Sequence, residues 1–290
     1  MSQFALAAQR TRVLLVLGRV SNLPTVWSNC LAAWLLCGGG PWRSFALLCL
    51  GATLLYTGGM FLNDAFDIDF DRKYRSERPI VSGQVGLQFV WTAAVVLLVA
   101  GWFAFLPFGF SAAGFAGLLV LGIIAYNALH KKTRWAPLLM AGCRFLLYLA
   151  AGSAAHLGAG QLAIQFAFGL FCYIVGLSCF ARVESSGGVV SRWPIALLFV
   201  PLVIAFPFGA GTSPEFWIPA LVQPLWVLCC LFGGLQRTSR LISNGVAGLL
   251  AGIPLVDWLA VAGGLPSNFS AAFPMLFLLA LVLQRVAPAT

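Results

Sequence analysis

Ten stretches of about twenty mostly apolar residues alternate with short polar loops along the chain, and each approaches the length that a helix needs to cross a bilayer. They fall at 21–38, 44–65, 86–106, 110–129, 136–157, 161–183, 194–211, 216–235, 243–262 and 270–286. Within a lipid core the main chain must satisfy its own hydrogen bonds, so runs of this length read as helices. The pattern predicts an all-α, polytopic transmembrane bundle. Residues 1–20 read as a cytoplasmic or interfacial segment, because Arg10 and Arg12 precede a short apolar run that Arg19 interrupts, with no small-residue cleavage pattern after it. Residues 21–286 read as one transmembrane domain.

Charge orients this bundle. With the N-terminus in the cytoplasm, fifteen of the seventeen Lys and Arg residues fall on one side, in the N-terminal segment, the loops at 66–85, 130–135, 182–193 and 236–240, and the C-terminus. Arg43 lies opposite and Arg144 lies inside a span. An even number of spans follows, with both termini cytoplasmic. The chain has 290 residues, is 61% hydrophobic and only 9% charged, and carries a net charge of +9. Because no long basic stretch lies outside the loops, that charge marks topology rather than a nucleic-acid surface. None of the eight cysteines forms a C-x-x-C pair and most lie in apolar runs, where they read as small packing groups.

Against this economy of charge, five of the eight acidic residues crowd into fourteen positions: Asp64, Asp67, Asp69, Asp71 and Glu77. On a helix Asp64, Asp67 and Asp71 share a face, with Asn63 beside them, and Asp69 is turned about 140° away from Asp64. Carboxylates about 5 Å apart repel by roughly 3 kcal/mol at an effective dielectric near 20. A bound hard cation relieves that repulsion, and Mg²⁺ commonly shares its shell with substrate phosphates. Arg75 and Arg78 follow closely and either pair with these acids or grip phosphate oxygens, as guanidinium does well.

The stretch resembles the first aspartate-rich motif of the UbiA superfamily of membrane prenyltransferases, N-D-x-x-D-x-x-x-D followed by basic residues and R-P-[LI]-x-S-G. The matching positions are Asn63, Asp64, Asp67, Asp71, Arg75, Arg78, Pro79, Ile80, Ser82 and Gly83. The next loop on the same side, with Tyr126, Asn127, His130, Lys131, Lys132 and Arg134, is similar to a family loop whose basic residues help to hold diphosphate, although plain topology would also place cations there. His130 alone reads as an interfacial histidine. The family's second motif, Y-(x)7-D-x-x-D, is incomplete: Tyr173 takes the tyrosine position, Ala181 stands where the first aspartate is expected, and Glu184 takes the second, beside Arg182. Either one metal suffices, or Arg182 replaces a cation, or ionisation is weak. A CDP-alcohol phosphotransferase would need a D-G-x-x-A-R element, which the chain lacks.

The resemblance implies a nine-helix core, beyond which the stretch 270–286 forms a tenth span, and Mg²⁺-dependent transfer of a prenyl group from an allylic prenyl diphosphate to an aromatic or similarly lipophilic acceptor. Asp64, Asp67, Asp71 and Glu184 would hold the metal. Asn63, Arg75, Arg78, Lys131 and Lys132 would hold the diphosphate, and Tyr126 or Tyr173 would stabilise the allylic cation through its ring face. Arg144, too costly to leave unpaired inside a span, contacts substrate or pairs with an acid such as Glu184 or Asp257. Asn22 caps a helix, bridges helices or touches substrate. The expected setting is a bacterial inner membrane with the site facing the cytoplasm, among membrane lipids and without an obligate protein partner. Ala181 leaves a second reading, in which the fold handles or transports a lipophilic metabolite with catalysis lost or altered.

Overall fold

The computed structural model describes residues 11–186, 193–209, 214–234, 239–262, 267–285 and 287. Among these residues the architecture is entirely helical. The helices are α1 (Leu23–Leu36), α2 (Trp42–Phe66), α3 (Ile68–Tyr74), α4 (Leu87–Phe103), α5 (Phe110–Leu129), α6 (Ala136–Ser153), α7 (Gln161–Ser186), α8 (Trp193–Leu197), α9 (Val200–Gly209), α10 (Trp217–Gly234), α11 (Ser239–Ala251), α12 (Ile253–Val261), α13 (Ser267–Ser270) and α14 (Ala272–Leu283).

Among the described residues, seven helical segments, at Trp42–Phe66, Leu87–Phe108, Phe110–Leu129, Ala136–Ser153, Gln161–Arg182, Pro214–Phe232 and Asn244–Val261, are long and apolar enough to cross a membrane, so this is an integral multi-pass membrane protein. The first, seventh and tenth expected spans come out shorter. α1 has 14 residues, because the chain breaks before it: residues 11–17 are helical, and Arg19 then adopts a left-handed backbone with φ 42°. The seventh, Trp193–Gly209, is interrupted between α8 and α9, and α14 has 12 residues.

α1 is the centre of the bundle. It packs against α2, α6, α12 and α14, and most of its residues are buried. α2 packs on α4, α5 on α6, and α6 on α7, which closes a wall around a central space. α4 and α5 turn large apolar side chains outward, among them Val95, Val96, Leu118 and Leu121, as suits helices bathed in lipid. Close approach of α2 to α5 depends on Gly59, where a Cβ would stand 3.1 Å from Ile123 Cγ2. That approach brings Asn127 within hydrogen-bonding reach of α2.

Candidate active site

The acidic stretch lies at one end of the bundle, where α2 gives way to α3. Helical hydrogen bonding runs through the junction: Asp67 donates its N–H to the Asn63 carbonyl at 2.9 Å and Asp71 donates to the Asp67 carbonyl at 2.9 Å. The spacing therefore keeps Asp64, Asp67 and Asp71 on one inward side. Asp64 and Asp71 are each 4% exposed, whereas Asp69 turns outward and lies 3.5 Å from the neighbouring Arg72.

Asp64 and Asp67 meet different cations. Asp64 Oδ1 lies 3.6 Å from Arg19 Nη2 and 3.9 Å from Arg78 Nη1. Asp67 Oδ1 lies 2.7 Å from Lys131 Nζ and 3.3 Å from His130 Nε2, so the 130–135 loop folds directly onto the acidic stretch. Burial raises the Asp67 carboxyl, but hydrogen bonds and charge from His130 and Lys131 outweigh it and leave the group below the ordinary carboxylate range. Asp71 is different. Burial pushes it up, Arg78 only partly counters this, and the neighbouring Asp67 adds to the rise.

Behind the acids runs a polar ladder. Arg19 donates Nη2 to Asn63 Oδ1 at 3.1 Å, Asn63 donates Nδ2 to Asn127 Oδ1 at 3.0 Å, and Asn127 donates Nδ2 to the Gly59 carbonyl at 3.3 Å. Below lies a cavity of about 540 Å³. Asp67, Arg75, His130 and Lys131 border its polar end, and Leu55, Leu119, Ile123 and Leu147 form apolar wall. Phe70 carries Lys131 Nζ 3.9 Å above its ring centroid. Tyr126 lines the cavity and stacks on His130 with centroids 5.1 Å apart. Asn22 and Arg144 line it too, as does Tyr56.

Other expected residues fall elsewhere. Tyr173 does not reach the cavity: it is fully buried between helices and donates its hydroxyl to the Leu249 carbonyl at 2.8 Å, so its ring serves packing. Lys132 is exposed and does not border the cavity. The side chain of Glu184 lies outside the described residues. Ala181 does line the cavity, and Arg182 next to it donates Nη1 to the Arg134 carbonyl and Nη2 to the Thr133 carbonyl, each at 2.9 Å. Arg182 thus fastens the end of α7 to the loop that carries Lys131.

Arg19 and His130 are site residues that sequence reasoning passed over, one as a topology charge and the other as an interfacial histidine. The signal for Arg19 was its position against the first span, where a cation has to find an inward partner. His130 precedes Lys131 directly, so a loop that delivers one side chain to Asp67 delivers both.

Residues 21–231 match the sequence model of the UbiA prenyltransferase family. The chain belongs to that family. UbiA relatives include a protein named 4-hydroxybenzoate octaprenyltransferase from Burkholderia vietnamiensis, 30% identical over 52% of this chain and 46% of its own length. Another is named digeranylgeranylglyceryl phosphate synthase, from Sulfolobus acidocaldarius, and is 31% identical over 30% of this chain and 32% of its own length. The chain thus spans less than half the length of these relatives. The UbiA fold is also evident in solved structures. A structure of a digeranylgeranylglyceryl phosphate synthase superposes with a TM-score of 0.65 at 17% identity, covering 88% of this chain and 98% of the other. A UbiA homologue from Archaeoglobus fulgidus, bound to GPP and Mg²⁺, superposes with a TM-score of 0.54 at 12% identity, covering 94% and 99%.

The carboxylate set fits a hard divalent ion in its chemistry. Asp71 Oδ1 is buried and has no hydrogen-bond partner among the described residues, and oxygen donors are what Mg²⁺ requires. Among those residues no three His, Cys, Asp or Glu side chains already converge as a metal site, so protein carboxylates alone do not complete a shell.

Proposed function

We propose that this protein transfers a prenyl group from an allylic prenyl diphosphate to an aromatic or similarly lipophilic acceptor inside the membrane. The observation that carries the reading is the junction of two environments in one cavity: the Asp67 carboxylate with cations at its polar end, apolar wall below. Residues 21–286 act as one domain, set in a bacterial inner membrane with the acidic end toward the cytoplasm, in line with the bias of Lys and Arg.

Asp64, Asp67 and Asp71, with Glu184 from the end of α7, would hold Mg²⁺, which when bound supplies positive charge to the departing diphosphate. The chain's own cations do the rest of the binding. Arg75, Arg78 and Lys131 grip diphosphate oxygens and stabilise the charge that grows there as the allylic C–O bond breaks, with its electron pair leaving on oxygen. The cavity wall keeps water from the allylic cation. The ring face of Tyr126 stabilises that cation. The acceptor then forms the new bond to the allylic carbon and gives up a proton to the released diphosphate. Family membership, the relatives' names and the neighbour holding GPP and Mg²⁺ support this reading.

The test uses the purified full chain with Mg²⁺, a panel of prenyl diphosphates and aromatic acceptors, and diphosphate release as the readout. Release should depend on Mg²⁺ and fall about 100-fold or more in Asp67→Ala, the scale on which aimed electrostatic groups act. Undiminished release from Asp67→Ala would sink the carboxylate assignment. One observation favours a second reading, the handling of a lipophilic metabolite without transfer: Ala181 lines the cavity where the family motif carries an aspartate.

A further inference from the structure

Arg144 is a charged group on the cavity wall that neither diphosphate binding nor the acidic stretch engages. It stands eight residues after Ala136, about 12 Å along α6 from the end that follows the Lys131 loop. It borders the cavity among Val26, Leu55 and Leu147. Arg144 donates Nη1 to Asn29 Oδ1 at 2.8 Å and Nη2 to Thr25 Oγ1 at 2.9 Å. Thr25 spends its own hydroxyl hydrogen on the Asn22 carbonyl at 2.7 Å, which fixes its oxygen as an acceptor toward Arg144. Asn29 then donates Nδ2 to Asp257 Oδ2 at 2.7 Å, and Ser28 donates Oγ to the same oxygen at 2.6 Å. Asp257 is 1% exposed and Asn29 fully buried.

This chain of contacts has two consequences. A guanidinium has five N–H groups, and these bonds use two, so donors remain for whatever fills the inner cavity. An isoprenoid tail has no atom to accept them. The group therefore faces the acceptor and not the tail. The second consequence concerns charge. When ionised, Asp257, reached through Asn29, offsets the charge of the buried guanidinium. A carboxylate on the acceptor would add a second anion to a balanced network in apolar surroundings, and its desolvation would go uncompensated. A neutral carbonyl accepts the spare N–H groups and leaves the balance intact.

Building on the prenyl-transfer reading, we infer that Arg144, held in place by Thr25, Asn29 and Asp257, recognises the acceptor and selects an aromatic bearing a neutral carbonyl over one bearing a carboxylate. In this the chain would part from relatives whose names specify 4-hydroxybenzoate.

Three probes of one ring size test the inference: 4-hydroxyacetophenone, 4-hydroxybenzamide and 4-hydroxybenzoate, the last ionised near neutral pH. Binding to the purified full chain is measured by calorimetry, and transfer is measured alongside. The two neutral probes should bind at least about tenfold more tightly than the carboxylate, in keeping with the cost of burying an uncompensated anion. Arg144→Met should abolish that order. Asp257→Asn, which removes the countercharge but keeps the shape, should shift the preference about tenfold toward the carboxylate. Equal or tighter binding of 4-hydroxybenzoate by the unaltered protein overturns the inference, as does an unchanged order in Arg144→Met. Should Asp257→Asn fail to fold, those two comparisons still decide. Mg²⁺-dependent binding of an unreactive prenyl thiodiphosphate is measured separately. Its absence would remove the prenyl-transfer reading, while the acceptor order stands or falls on calorimetry alone.

Discussion

Lys131 Nζ sits 2.7 Å from Asp67 Oδ1, so a cation suited to diphosphate and a carboxylate suited to a metal neutralise each other. Substrate and Mg²⁺ arriving together would separate this pair, the diphosphate taking the ammonium and the ion taking the carboxylate. Lys131→Met should therefore have opposite effects on the two ligands. Mg²⁺ alone should bind more tightly, because Asp67 no longer has a competing cation, and KM for the prenyl diphosphate should rise about tenfold or more with the loss of a charged contact. Calorimetric titration with Mg²⁺ and steady-state kinetics measure the two separately. Weakening of both would mean that Lys131 shapes the site rather than competing within it.

Asp67 and Asp71 should respond to neutralisation in opposite directions. The Asp67 carboxyl is held low, so the stability it contributes is present above the ordinary carboxylate range and is lost as pH falls through its lowered value. The Asp71 carboxyl is held high, so its contribution is present below that range and is lost as pH rises through its raised value. Once pH has risen through that raised value, the ionised Asp71 therefore costs stability. In metal-free detergent solution at neutral pH, Asp67→Asn should lower Tm and Asp71→Asn should raise it, each by about 2–4 °C per kcal/mol. Both substitutions should reduce the further rise on adding Mg²⁺. A fall in Tm for Asp71→Asn would contradict the assignment of a strained, cation-seeking carboxylate.

Arg182 reaches main-chain oxygens of Thr133 and Arg134 and so fixes the loop from which Lys131 extends. Arg182→Ala should raise KM for the prenyl diphosphate about tenfold while kcat changes less, because the loss falls on the placing of a binding group. Arg182→Lys should recover only part of this, since an ammonium does not span two carbonyls with a rigid fork. Equal falls in kcat and kcat/KM would instead put Arg182 in the transition state itself.

Ala181→Asp places a carboxylate on the cavity wall at the incomplete motif. If the protein is a transferase with a thinned acidic set, Mg²⁺-dependent turnover should rise, by up to about tenfold for one added metal-facing group. No change, together with Mg²⁺-independent binding of a lipophilic ligand, would favour the handling reading.

The helical class and seven of the spans were legible because lipid imposes one rule on every segment that crosses it. The inward placement of Asp64, Asp67 and Asp71 and the outward turn of Asp69 were legible because they depend on geometry within one helical path. What depends on the rotation of one helix against another was not. Tyr173 has the same motif position whichever way α7 turns, and only packing against Leu249 shows that its hydroxyl points into the core. Arg144 was recognised as too costly to leave unpaired, but its link to Asp257 runs through Asn29, and three-residue chains across three helices leave no spacing signature. The break at Arg19 escaped for a related reason. A left-handed backbone in a residue other than glycine is rare and costs about 1–2 kcal/mol. It is stable here because the side chain reaches Asn63 and Asp64, contacts set by tertiary structure.

Ser28 and Asn29 meet Asp257 across 229 and 228 residues of sequence. During biosynthesis α1 therefore leaves the ribosome well ahead of α12. Through that interval the central helix waits with its polar side chains short of their final acceptor, in a bilayer that offers little in return. Assembly here has the character of a clasp: the earlier part acquires its settled position only when the later part arrives.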